Sequence, residues 1–151
     1  MYHRASDDFD YPLDRLLKLQ NILSADEIRK PNKNNVMCYV IKHGLTTLTT
    51  IGCLNGFKSF VRRYSVLGPL DSIEAAIYPY DNKSGPFSRS GDSGAIIVNA
   101  LGKFVALLLG HSNSSYITYG SPMHWLWEII NAEFSGANLY WDDSDSDVAS
   151  Y

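Results

Sequence analysis

The chain has 151 residues, of which 45% are hydrophobic and 19% charged, with a formal net charge of -3. One domain accounts for this length, and the apolar share is enough to fold around a core. No basic run suggests nucleic acid, no apolar run is long enough to span a bilayer, and the first residues lack an apolar secretory segment. No nucleic-acid partner, no membrane and a cytoplasmic location as written are therefore expected.

Residues 1–10 are polar and read as a flexible N-terminus. Residues 11–35 read as a helical, linker-like strap. Leu13, Leu16, Leu17 and Leu23 fall at helical spacing between Pro12 and Leu23, with Asp10 as a cap. Ser24-Ala25-Asp26-Glu27 has the capping-box pattern and predicts a short second helix ending before Pro31. From Val36 the pattern turns to strands. Val36 to Lys42 and Thr46 to Leu54 form a hairpin through His43-Gly44-Leu45, and Asn55-Gly56 reads as a tight turn into Phe57 to Val66. Leu67-Gly68-Pro69 breaks the chain before a strand from Ile73 to Tyr78, and Pro79 to Ser90 is a polar loop.

Ala95 to Val98 and Phe104 to Leu109 pair around Asn99-Ala100-Leu101-Gly102, and Tyr116 to Tyr119 is a last short strand. Ser121 as N-cap and Pro122 at the first helical position open a helix from Met123 to about Phe134, with Trp125, Leu126, Ile129 and Ile130 as its apolar stripe. Asp142, Asp143, Asp145 and Asp147 among serines make residues 141–151 an acidic, disordered tail. Six or seven short strands with regular turn signals predict a mostly β fold: one six-stranded antiparallel barrel, with the helical strap before it and a helix after it.

Two cysteines, Cys38 and Cys53, are too few for a disulfide scaffold and read as buried thiols on neighbouring strands. No cluster of ligand-type residues implies a metal, and no motif implies an organic cofactor.

The stretch richest in chemistry is Gly91-Asp92-Ser93-Gly94, between Phe87-Ser88-Arg89-Ser90 and the strand Ala95-Ile96-Ile97-Val98. A serine between glycines at the start of a β-branched strand suits a nucleophile presented at the lip of a barrel. Glycines let the N–H groups of a tight turn converge on one point, as an oxyanion hole requires.

This stretch, the following Gly102-Lys103-Phe104 to Gly110 hairpin, and Tyr116 to Pro122 before a tryptophan-bearing helix resemble the C-terminal barrel of chymotrypsin-like (trypsin-like, S1, PA clan) serine peptidases, the fungal trypsin-like type above all. Ile41-Lys42-His43-Gly44, Thr46-Thr47 and Thr49-Thr50-Ile51-Gly52 resemble the strands that open that barrel. The resemblance spans roughly residues 11 to 140 and makes 36–140 the barrel with its terminal helix. It implies Ser93 as nucleophile, the N–H groups of Gly91 and Ser93 as oxyanion hole, and Asp92 and Gly94 as structural members of the motif. It further implies a specificity pocket at Phe87, Leu109, Gly110 and His111, with Phe87 near its floor and His111 narrowing it.

A serine hydroxyl needs a general base. In the resembled family the base histidine and its orienting aspartate come from an N-terminal barrel, which this sequence does not contain. Among His3, His43, His111 and His124, only His111 is placed near the cleft by its position, and no triad follows from spacing. The expected function is a serine endopeptidase-type domain that is inactive as this isolated chain. Its partners would be a peptide or protein substrate, and a first-barrel partner or a second copy. The alternative is a non-catalytic, pseudopeptidase binding module or a truncated fragment.

Overall fold

The computed structural model describes residues 17–29, 38–112 and 114–139. The expected flexible N-terminus, the acidic tail and much of the 11–35 strap lie outside the described residues.

Six strands form one antiparallel sheet: β1 (Cys38–Gly44), β2 (Leu48–Ser65), β3 (Gly68–Pro79), β4 (Ile96–Asn99), β5 (Phe104–His111) and β6 (Thr118–Pro122). Their order is β1-β2-β3-β6-β5-β4, and β4 pairs back onto β1 through Ile41↔Val98, so hydrogen bonds close the sheet into a ring. Val40, Leu54, Ala75, Ile77, Ile97, Val105, Ala106 and Leu108 fill it, with Leu23 and Phe87. Alternation explains the choice: Val40, Ala75, Ile77, Ile97, Val105 and their like are β-branched or small, and fit a pleated, enclosed surface.

Among the described residues two helices flank the ring, α1 (Ala25–Arg29) and α2 (Met123–Glu133). The capping box that precedes α1 forms as its sequence predicts. Ser24 N–H and Oγ both donate to Glu27 Oε2 at 2.9 Å, and Glu27 N–H donates back to Ser24 Oγ at 3.3 Å. Lys103 Nζ, 2.5 Å from Glu27 Oε1, ties α1 to the β4–β5 turn.

Four local expectations are corrected. Residues 17–23 are not helical. Their backbone is bonded to the sheet instead: Gln20 N–H donates to Gly102 O, Leu23 N–H to Phe104 O, and Phe104 N–H to Asn21 O. Leu17 and Ile22 thus pack on a second cluster of Ile41, Val98, Phe104 and Met123 from an extended segment.

Asn55-Gly56 is not a turn. β2 runs through it, and the register against β3 shifts between Leu54 and Lys58. Asn55 Oδ1 accepts from Phe57 N–H at 3.1 Å, so the dipeptide's local bonding makes a bulge within a long strand. The hairpin turn lies later, at Val66 and Leu67, and the third and fourth expected strands are the arms of one ribbon.

Ser121 is not the cap of α2. It pairs with Leu107 inside β6, and Pro122, whose ring fixes φ at −58°, is the N-cap without a side-chain bond. The stripe on α2 is only partly covered as well: Leu126 packs with Met123 while Trp125 and Ile129 stay exposed.

Cys53 is a free thiol, buried, and burial raises its pKa. It stands opposite Tyr39 in the register, and Cys38 opposite Leu54.

Candidate functional site

The Gly91–Gly94 turn lies between the 79–90 loop and β4 and is held from below by one carboxylate. Asp92 is fully buried, and its Oδ1 accepts from the N–H groups of Thr46 (2.7 Å) and Thr47 (3.1 Å). Its Oδ2 accepts from Thr47 Oγ1 (2.6 Å) and Arg89 N–H (3.0 Å). Lys42 Nζ stands 3.6 Å from Oδ2, and both side chains have no solvent exposure.

The same ammonium donates to Thr47 Oγ1 and to Leu48 O (2.9 Å), and lies 5.7 Å from the centre of the Phe87 ring. Burial alone would raise the Asp92 carboxyl. Bonds from Thr47 Oγ1 and from the Arg89, Thr46 and Thr47 amides outweigh it and hold the group well below the usual carboxylate range. Burial lowers the Lys42 ammonium, and Asp92 partly restores it.

This hub explains why the β1–β2 turn has its sequence. Gly44 pairs with Leu48 at the mouth of the hairpin, and a Cβ on it would lie 2.5 Å from Asp92 Oδ1. Gly91, at φ +99°, faces Thr46, whose Oγ1 a Cβ would strike and which donates to Ser90 O at 2.8 Å. The two loops therefore meet through carboxylate, hydroxyl and glycine contacts that only these small residues permit.

Above the hub, Ser93 is exposed, and its Oγ donates to Leu109 O at 3.2 Å. Amides alternate in use along the turn. Asp92 N–H donates to Arg89 O, and Gly94 N–H to Leu108 O. Among the described residues the N–H groups of Gly91 and Ser93 have no acceptor.

An open groove of about 390 Å³ runs beside the turn, lined by His43, Gly44, Leu45, Leu48, Gly91, Asp92, Ser93 and Ala95. It brings together four of the residues singled out from the sequence: Gly91, Asp92, Ser93 and, from the histidines, His43. Phe87 lies elsewhere. It is 1% exposed, belongs to the core, and packs where a Cβ on Gly52 would meet its ring. Leu109, Gly110 and His111 lie on β5 outside the groove lining, with Gly110 opposite Tyr119 and His111 opposite Thr118.

His43, not His111, shares the groove with Ser93. His43 lies on β1 opposite Thr49, with Nδ1 2.9 Å from Thr49 Oγ1. Among the described residues no histidine is hydrogen-bonded to Ser93. No group of three metal-ligating side chains occurs among the described residues either.

Sequence reading missed Lys42, Thr46, Thr47, Thr50 and Gly44. Thr50 Oγ1 donates to Phe87 O at 2.7 Å and completes the tie between β2 and the loop before the turn. One signal was available: a lysine two residues after Val40, and so on the same face of the strand as that interior valine, needs a buried anion. The comparisons with known proteins give no family: neither the family models nor the curated proteins contain a match.

Proposed function

We propose that the chain carries the nucleophile half of a serine-peptidase-type site, as in the second barrel of chymotrypsin-like peptidases, and that the general base comes from outside the described residues. Ser93 is the nucleophile, and the Gly91 and Ser93 amides are the oxyanion donors. Asp92 fixes the turn through its bonds from Thr46, Thr47 and Arg89. The observation that carries the reading is the turn itself: an exposed serine whose own amide, with that of Gly91, is left without an acceptor while its neighbours are bonded.

Acyl transfer at this site needs three things. Ser93 Oγ must lose a proton, a substrate carbonyl must lie within reach, and the oxyanion must meet donors already in place. The unbonded amides of Gly91 and Ser93 support the third, in a turn held by the bonds to buried Asp92. For the first, Ser93 Oγ is bonded to a carbonyl, which cannot act as a base at neutral pH. Leu45 and Leu48 are exposed beside the groove, an apolar rim against which a base-bearing segment would pack.

A second reading, a peptide-binding module without catalysis, is favoured by the buried Phe87 at the position expected for the pocket floor. Labelling with a fluorophosphonate, with and without added imidazole as a substitute base, separates the two. The peptidase reading expects little labelling in buffer, imidazole-dependent labelling of the wild type, and none in Ser93→Ala. Failure of imidazole to promote labelling of a folded chain favours the binding module. Labelling without imidazole that is lost in His43→Ala would make the described residues self-sufficient and overturn the need for an outside base.

A further inference from the structure

The outer half of the β2–β3 ribbon stands clear of the closed ring. β1 pairs with β2 only as far as Leu54, and β6 pairs with β3 only from Ala75, whereas β2 and β3 remain paired to Ser65↔Gly68. From Lys58 to Val66 the ribbon extends about 25 Å at roughly 3.3 Å per residue. Its end is apolar on all sides. Val66 is fully exposed and Leu67 is 96% exposed, and Tyr64, Phe60, Leu70 and Ile73 are exposed behind them.

The register places Phe60, Tyr64 and Ile73 on one face and Leu70 on the other. A lipid phase surrounds an inserted tip on every side.

Two further features fit that environment. Backbone groups that enter an apolar phase are best satisfied internally, and this turn satisfies part of its own: Leu67 N–H donates to Ser65 Oγ at 3.2 Å, and Ser65 Oγ donates to Gly68 O at 2.9 Å. Behind the tip, Arg62 is bonded to Asp71 at 2.7 and 2.8 Å, while Arg63, opposite Leu70 on the other face, has no acid across from it in the ribbon. The stem is therefore basic in a chain whose net charge is -3. From the tip back, Val66 and Leu67, then Tyr64, then Arg63 match the layers of an anionic membrane surface in order.

We propose that the β2–β3 tip, residues 64–70, inserts into the interface of an anionic lipid bilayer, held there by Arg63. The expectation of no membrane rested on the lack of a spanning segment. No helix among the described residues is long and apolar enough to cross one, and an inserting tip requires none. This inference is independent of any chemistry at Ser93.

The test is co-sedimentation of the whole chain with vesicles of phosphatidylcholine alone and of phosphatidylcholine with phosphatidylglycerol. Binding is expected to the anionic vesicles and to weaken with salt. Val66→Asp/Leu67→Asp should abolish it. Arg63→Glu should weaken it by at least about fivefold, the factor for roughly 1 kcal/mol per basic residue near the surface. Val66→Ser/Leu67→Ser repeats the tip test without introducing charge, and an unchanged circular dichroism spectrum shows that each variant is folded. Equal sedimentation of wild type and both tip variants would overturn the proposal. So would a wild type that ignores anionic vesicles, whether it is monomeric or forms a dimer that the tip variants dissociate.

Discussion

β2 and β3 each live in two environments. In the first half of β2, Gly52, Cys53 and Leu54 are buried in succession, and Glu74 to Ile77 are buried at the matching end of β3. Beyond the bulge no residue of β2 is buried, although the two strands keep the same pairing to the turn. Backbone bonding is continuous across both halves, so it does not account for the difference. What ends at Leu54 and Ala75 is the company of β1 and β6. A ribbon paired only with itself is marginal in water, and its side chains have nothing to pack on. The ring is where substitutions should be costly, and the ribbon is where they should alter contacts outside the chain.

The largest effect is expected at the hub. Asp92→Ala leaves the Lys42 ammonium buried without its anion and removes acceptors from three amides and a hydroxyl. Breaking a buried pair from one side costs about 3–5 kcal/mol, and chemical denaturation should read a loss of that size. The tip variant Val66→Asp/Leu67→Asp should leave the midpoint unchanged.

The pair also sets a pH dependence. The folded Asp92 carboxyl titrates below its unfolded value of about 3.9. Its stabilisation is therefore complete above that value and is lost as pH falls below it toward the folded one. Glu27, held down to about 2 first by its bond from Lys103, acts in the same direction. The difference between wild type and Asp92→Ala across pH 2 to 6 isolates the buried group.

The strands of the ring were readable because their cores alternate with turns that carry glycine. α1 was readable because a capping box is a local event between Ser24 and Glu27. The failures share a cause. Asn55-Gly56 and the 17–23 segment have strong local signals, and in each the neighbouring sheet offered the backbone better partners. At the site, the tetrapeptide marked the turn, but nothing local to Asp92 shows that its cation is Lys42, fifty residues earlier. From sequence His43 reads as part of the hairpin connection, yet the turn starts two residues later, which leaves His43 on β1 facing the groove.

A smaller effect is expected from Gly44→Ala, which adds one methyl where the new Cβ would lie 2.5 Å from Asp92 Oδ1. The carboxylate is fixed by four donors and cannot yield, so the β1–β2 turn must shift. Overpacking of this kind costs about 1–3 kcal/mol, measurable by the same denaturation. Its consequence for Ser93 is sharper than its size, because the shift moves Thr46 and Thr47 against the turn that presents the serine. Imidazole-dependent labelling of Gly44→Ala should fall while the chain remains folded.

The smallest effect is expected in the ribbon. Arg62 and Asp71 form a two-pronged pair at 2.7 and 2.8 Å, better in geometry than the 3.6 Å approach of Lys42 to Asp92. Geometry alone would rank it first. Exposure reverses the order, since both side chains are roughly half in water and solvent screens their attraction. Arg62→Ala and Asp71→Ala should therefore leave the unfolding midpoint where it is. Asp71→Ala, by releasing a cation behind the tip, should strengthen sedimentation with anionic vesicles. A loss of stability near that of Asp92→Ala would mean that the ribbon unfolds with the ring, and the division between a packed half and a free half would not hold.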